Sequence, residues 1–273
     1  MYQRIIVPVD GSAESWRAAG LGRSVADRFG AVLEIVSGVS FTWERQPVRD
    51  ELKAMVAAQG WGDDVVVTVL DAWEHGVAHA IATHVETQHG ALVVMSSTGK
   101  GRSAPLVGSV TDALVRELYG PILVVGPRAT KLDLEGPLLV CVDGSHTSES
   151  ILGAAGSWAV ALHLTPWVVS VAEPVTVKVP GETVIETAYP HRVADRLSGM
   201  IERGVEFETL HGEHPDEAIV DYAERSGAAL VAVATHGRTG LRRIAMGSVA
   251  MSIVHKAPCP VLLARPPHTA EED

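Results

Sequence analysis

The sequence predicts two tandem doubly wound α/β domains, each built on a five-stranded, mostly parallel sheet. Three observations carry this: the chain repeats itself once, its apolar runs are short and unbroken, and helix-like stretches alternate with them. The repeat comes first, because it sets the number of domains. "RIIVPVDGSAESWRAAG" (residues 4–20) returns as "LLVCVDGSHTSESILGAAG" (138–156). "GALVVMSSTGKGRSAPLVGSVTDALV" (90–115) returns as "AALVAVATHGRTGLRRIAMGSVAMSIV" (228–254), and an apolar strand follows each time, "GPILVVGP" or "CPVLLARP". In a chain of 273 residues this gives domains expected at 1–130 and 136–267, joined through "RATKLDLEGP" (128–137), where charge and a Gly-Pro pair interrupt the pattern. A unit of this length written twice is a duplicated domain, since solenoid repeats are shorter and need at least three copies.

Within the first half the strand candidates run over 5–9, 31–36, 65–70, 92–95 and 122–125. Continuous apolar runs of this kind belong to strands covered on both faces, which parallel sheets usually are. The last helix of each half starts at Ser109 or Ser248 and carries apolar residues at matching helical spacing: Val110, Leu114, Val115, Leu118, and Val249, Ile253, Val254, Ala257. Alternating strands and helices imply a ligand crevice beyond the carboxyl ends of the strands, where the strand order reverses.

Composition narrows the function. A chain 47% hydrophobic and 20% charged can bury real cores, which excludes disorder. The net charge of −11 argues against broad nucleic-acid or anionic-membrane binding, so any anion site must be local. The start "MYQRIIVPVD" lacks the features of a secretory signal, and no apolar run reaches membrane-spanning length. Cys141 and Cys259 suggest no disulfide framework, and a reduced, cytoplasmic protein is expected.

A local anion site is written into the loop before the last helix. Each half places a Gly-Ser pair there, Gly108-Ser109 and Gly247-Ser248, behind a glycine that follows the fourth strand, Gly99 or Gly237. Free amides of a helix's first turn bind anions, and glycine lets a phosphate approach the backbone. The serine can cap the helix or donate to a phosphate oxygen. Lys100, Arg102, Arg238, Arg242 and Arg243 add positive charge, though arginines there can equally form surface ion pairs. Neither a Walker-type loop nor a strand-linked G-x-G-x-x-G is present. Asp10 and Asp143 end the first strands, where a carboxylate faces the crevice; Asp before Gly-Ser is also ordinary turn chemistry.

Together "VPVDGS", "THGRTGLRRIAMGSVA" and "APCPVLLARP" closely resemble the universal stress protein family in a tandem two-domain form, over nearly the whole chain. The resemblance implies Rossmann-like domains of the adenine nucleotide alpha hydrolase-like type. The ATP-binding branch of that family carries G-x2-G-x9-G-[ST]. Here the second half reads Ala234-Thr235-His236-Gly237, nine residues, then Gly247-Ser248; the first reads Ser96-Ser97-Thr98-Gly99, eight residues, then Gly108-Ser109. Both copies replace the first glycine by a small residue, Ser96 or Ala234, and the first loop is one residue shorter. The resemblance implies ATP, with Mg2+ as companion, held by Asp10 and Asp143 at the nucleoside, by the backbone of Gly38 and Val171 at the adenine, and by the Gly and Gly-Ser positions at ribose and phosphates. It also implies pairing through the last strands, so that the halves form a pseudo-dimer and the chain a homodimer.

Other clusters read more plainly. His75, His79, His84 and His89 are expected on a solvated helix, with no metal motif beside them. "HGEHPDE" (211–217) reads as a helix start with Pro and acids in its first turn. Ser12 and Ser145 lack the G-x-S-x-G setting of a nucleophile, and "EPVTVKVPGETVIETAYPHR" (173–192) suggests a hairpin or loop over the second site. The function expected is therefore an ATP-binding stress or signalling regulator, not an enzyme, with slow hydrolysis at most. A non-nucleotide assembly module of the same fold and an ATP pyrophosphatase are the alternatives, the latter disfavoured because "VDGSAES" and "VDGSHTSES" do not match an S-G-G-x-D-S loop.

Overall fold

The computed structural model describes residues 2–100, 108–172, 182–235 and 246–265. The chain divides into two units, Met1–Pro127 and Arg128–Asp273. In the first, β1 (Arg4–Pro8), α1 (Ala13–Phe29), β2 (Val32–Val39), a short 3-10 turn (Thr42–Glu44), α2 (Arg45–Ala58), β3 (Val66–Asp71), α3 (Gly76–Glu86), β4 (Ala91–Ser96), α4 (Ser109–Glu117) and β5 (Ile122–Val125) follow one another. Its strands lie in the order β3-β2-β1-β4-β5. All of these neighbours are parallel, with Arg4 opposite both Val32 and Ala91. The chain winds outward from β1 to β3 and then crosses to β4, so the order reverses between β1 and β4.

The second unit repeats the plan: β6 (Pro137–Cys141), α5 (His146–Glu149), α6 (Ile151–Ala161), β7 (Thr165–Ala172), α7 (Glu182–Ile201), β8 (Glu206–His211), α8 (Pro215–Ser226), β9 (Leu230–Ala234), α9 (Ser248–Lys256) and β10 (Val261–Ala264). Its order is β10-β9-β6-β7-β8, again parallel throughout. Strands β4, β5, β9 and β10 are buried almost end to end, which is why they read as unbroken apolar runs.

Both units enter their first helix through the same turn. Gly11 and Gly144 have φ of 81° and 89°, a left-handed conformation that glycine adopts without a Cβ clash. Ser12 and Ser145 then cap the helix, accepting from the amides of Ser15 and Ser148. α8 begins as expected, with Pro215 at its start and Asp216 and Glu217 in the first turn. Two expectations are corrected. Residues 182–192 lie in α7 rather than a hairpin, because Val193, Ala194 and Leu197 bury a helical face beyond Pro190; residues 173–181 lie outside the described part. His84 is not solvated like His75 and His79, since its ring packs inward against Glu34.

Glu34, on β2, is a buried carboxylate in the first unit. Arg4 donates to its Oε2 at 3.0 Å, Thr68 to its Oε1 at 2.5 Å, and His84 Nε2 lies 2.9 Å from Oε1. The matching strand position of the second unit is Trp167, whose ring centroid lies 6.5 Å from that of Tyr222. One copy thus fills this place with an ionic cluster and the other with aromatic rings.

Cys141 and Cys259 are both buried, and burial pushes each thiol up to about 12. With so little thiolate, neither is expected to react with a disulfide reagent at pH 8 while the protein is folded. Both should react once it is denatured; release of thionitrobenzoate from the native protein would contradict this. Among the described residues no helix is long and apolar enough to cross a membrane.

Candidate functional site

A cavity of about 380 Å³ opens in the first unit at the carboxyl ends of β1 and β4, the place where the strand order reverses. β1 delivers Asp10 and, through the turn, Ser15; β2 delivers Ser37 and Gly38. β4 and the segment after it deliver Ser96, Thr98, Gly99 and Lys100, and the start of α4 delivers Gly108, Ser109 and Thr111. Val77, Ile81 and Met95 make an apolar wall. The volume and the mixture of an apolar wall with a few converging polar groups are those of a small-molecule site.

Asp10 organises the turn and the loop together. Its Oδ1 accepts from the Ser12 amide at 3.0 Å and the Ser12 hydroxyl at 2.6 Å, while its Oδ2 accepts from the Lys100 amide at 2.5 Å. Asp10 thus shapes the turn and lines the cavity at once. Burial alone would raise its pKa, but the Ser12 bonds and the Lys100 amide outweigh it and hold the carboxyl below its ordinary 3.8. A folded-state value lowered in this way stabilises the clasp above the unfolded value and releases it as pH falls through the folded one. Protection of the Lys100 amide from hydrogen exchange is thus expected to persist from neutral pH down to 3.8 and to fail only below it. Loss of protection already in the mildly acidic range would contradict the assignment.

The loop's glycines have separate duties. A Cβ on Gly99 would stand closer to Asp10 Oδ2 than real Cβ atoms approach, so glycine here admits the carboxylate. Gly108 caps α4 and its amide donates to Ser97 O at 2.7 Å, with Gly247 doing the same to Thr235 O at 2.7 Å. Ser109 and Ser248 are the first helical residues and do not cap; the first intrahelical bond runs from Asp112 to Gly108, leaving the amides of 109–111 ahead of it. Ser96 uses its hydroxyl to accept from the Thr98 amide at 3.3 Å, shaping the turn into Gly99. Lys100 is the cation among the described residues lining the cavity, and its ammonium lies 2.7 Å from where a Gly11 Cβ would be.

Of the residues singled out in sequence, Asp10, Gly38, Ser96, Gly99, Gly108 and Ser109 thus line one cavity. Asp143, Val171, Ala234, Gly247 and Ser248 occupy the matching strand ends and helix start of the second unit. Gly237, with Arg102, Arg238, Arg242 and Arg243, lies outside the described residues. Sequence reasoning passed over Ser15, which lines the cavity and donates to Ser12 O at 2.9 Å. A signal for it was present: both copies read D-G-S-x-x-S, with Ser148 in the second. Among the described residues no group of three or more His, Cys, Asp or Glu is placed to hold a metal.

The chain is a doubled, doubly wound α/β protein, and its first unit carries a cavity at the topological switch point, the place where open sheets of this kind hold their ligands. The comparisons sharpen this. The family model described as the universal stress protein family matches residues 1–126 and again 136–265. The chain belongs to that family, in tandem form. It is 30% identical over 292 residues to the universal stress protein Rv2005c of Mycobacterium tuberculosis, covering 96% of each chain. A universal stress protein of Mycolicibacterium smegmatis is 28% identical over 308 residues, covering 96% of this chain and 97% of that one. In fold it is similar to the crystal structure of a universal stress protein from Archaeoglobus fulgidus, with a TM-score of 0.68, 16% identity, and coverage of 97% of this chain and 99% of that chain.

Proposed function

We propose that the protein is an ATP-binding universal stress protein, a regulator whose state depends on nucleotide occupancy rather than on turnover. The observation that carries this reading is the convergence of Asp10, Gly38, Ser96, Gly99, Gly108 and Ser109 on one cavity. The chemistry fits the ligand: an apolar wall of Val77, Ile81 and Met95 suits a purine, Asp10 accepts hydrogen bonds from a ribose, and Lys100 with the first amides of α4 suits phosphates. Any Mg2+ would arrive on the phosphates.

Binding without rapid chemistry is the reading these same residues support. A general base must be free to take a proton, whereas Asp10 is held ionised below its ordinary value with both oxygens already accepting. The second unit, with Asp143, Val171, Ala234, Gly237, Gly247 and Ser248 at matching places in the chain, is read as a second nucleotide site. The two domains, near 1–130 and 136–267, are read as one functional pair in a cytoplasmic homodimer, which light scattering of the purified chain checks by its mass.

The test is direct. Protein purified without added nucleotide is denatured and the supernatant analysed, and the native protein is titrated with ATP by calorimetry. Released adenine nucleotide or saturable binding is expected. Absence of both would refute the reading and leave the assembly-module alternative.

A further inference from the structure

Resting on that nucleotide reading, we propose that the two sites are unequal, and that Tyr189 gates the second by occupying the place where its ligand would meet the Asp143 turn. The turns of the two units are near copies. Asp10 and Asp143 each accept from the amide and hydroxyl of the capping serine, and each donates its own amide to the serine three residues beyond the cap, Ser15 or Ser148. Those serines donate to the cap's carbonyl at 2.9 and 2.8 Å. Ser15 faces the first unit's cavity, so Ser148 marks the corresponding wall of the second.

What faces that wall differs. In the second unit the Tyr189 hydroxyl, carried by α7, reaches the helix turn that follows Asp143, bonding the residue next to Ser148. It donates to Glu149 Oε1 at 3.1 Å, and Arg196, one further α7 residue, anchors Glu149 Oε2 at 2.6 Å. Glu149 is mostly buried, its side chain 16% exposed. The first unit has no carboxylate at the matching position, which is Trp16, buried and 6.2 Å from Trp61, ring centroid to centroid. There Lys100, not a phenol, approaches the turn glycine.

The consequences follow from these contacts. In this arrangement a ligand group entering beside Ser148 displaces the phenol, which breaks its bond to Glu149 and loosens α7 from the turn. Burial, with the Glu149 charge second, pushes the Tyr189 hydroxyl up to about 12, so it remains a protonated donor at neutral pH. The bonds from Arg196 and Tyr189 outweigh burial and hold Glu149 below the usual carboxylate range, so the acceptor stays charged. A site whose open form is populated about a tenth of the time binds about tenfold more weakly than its intrinsic affinity. The first site should fill first, and entry of a second nucleotide should be coupled to movement of α7.

Calorimetric titration of the full chain with ATP tests this, using Gly108→Val to silence the first site and read the second alone. Wild type is expected to show one tight and one weaker site, the second weaker by about tenfold or more. Tyr189→Ala and the shape-preserving Glu149→Gln should each strengthen the second site and leave the first unchanged. Two equal sites in wild type, or a second site unmoved by both substitutions, would overturn the gate while leaving nucleotide binding intact. Failure of every variant to bind ATP would overturn the nucleotide reading and the gate with it.

Discussion

Replacing Arg4 by methionine is expected to cost the first unit about 3 kcal/mol of unfolding free energy at neutral pH, the scale for removing one partner of a buried ion pair. Methionine keeps the length of the side chain and its apolar stem but removes the guanidinium that faces Glu34 Oε2. Glu34 is 2% exposed, so water cannot replace the lost donor, and the carboxylate is left with Thr68 and His84. The second unit shows that the fold does not need charge here, since Trp167 and Tyr222 fill the matching place. Adding Glu34→Leu to the Arg4→Met variant should therefore restore much of the loss, as apolar replacement of whole buried pairs often does. Urea unfolding gives the size, and hydrogen exchange in β1, β2 and β3 localises it. A loss under about 1 kcal/mol, the range of an exposed pair, would show that the cluster behaves as if it were exposed.

That cluster also marks where the sequence stops being readable. The central strands were legible because burial on both faces leaves an unbroken apolar run, and the run over 92–95 falls inside Ala91–Ser96. The start of α4 was legible because Gly-Ser ahead of helically spaced apolar residues is a local signal. His84 was not, since its partner Glu34 lies fifty residues away on a different strand, and nothing within the helix distinguishes it from His75. α7 was hidden because Pro180-Gly181 reads in sequence as a hairpin turn and Pro190 ordinarily ends a helix, while the apolar spacing that sustains the helix lies beyond Pro190. In the cavity, residues read from repeated motifs converged. The clasp between Asp10 and the Lys100 amide was invisible because a backbone donor leaves no mark on residue type.

That clasp predicts the outcome of the smallest change available at the loop. Gly99→Ala is expected to lower ATP affinity about a hundredfold, roughly 2.7 kcal/mol, while the fold survives. The added Cβ would be forced onto Asp10 Oδ2, and Asp10 cannot simply turn away because its Oδ1 is tied to the Ser12 amide and hydroxyl. Either the loop leaves Asp10 and the Lys100 bond is lost, or Asp10 rotates and the Ser12 bonds are lost. Hydrogen bonds to a charged group are worth about 1.5–3 kcal/mol each, so one such loss accounts for the predicted change. The same geometry gives a test that needs no nucleotide. If Gly99 is glycine to admit the Asp10 carboxylate, then Asp10→Ala removes the obstacle, and the stability cost of Gly99→Ala should shrink by about 1 kcal/mol or more in that background. If instead the glycine serves only a bound phosphate, the two substitutions will be additive in the free protein. A double-mutant cycle on unfolding free energy, with exchange at the Lys100 amide as the local reporter, separates the two: coupling assigns Gly99 to Asp10, and additivity takes it away.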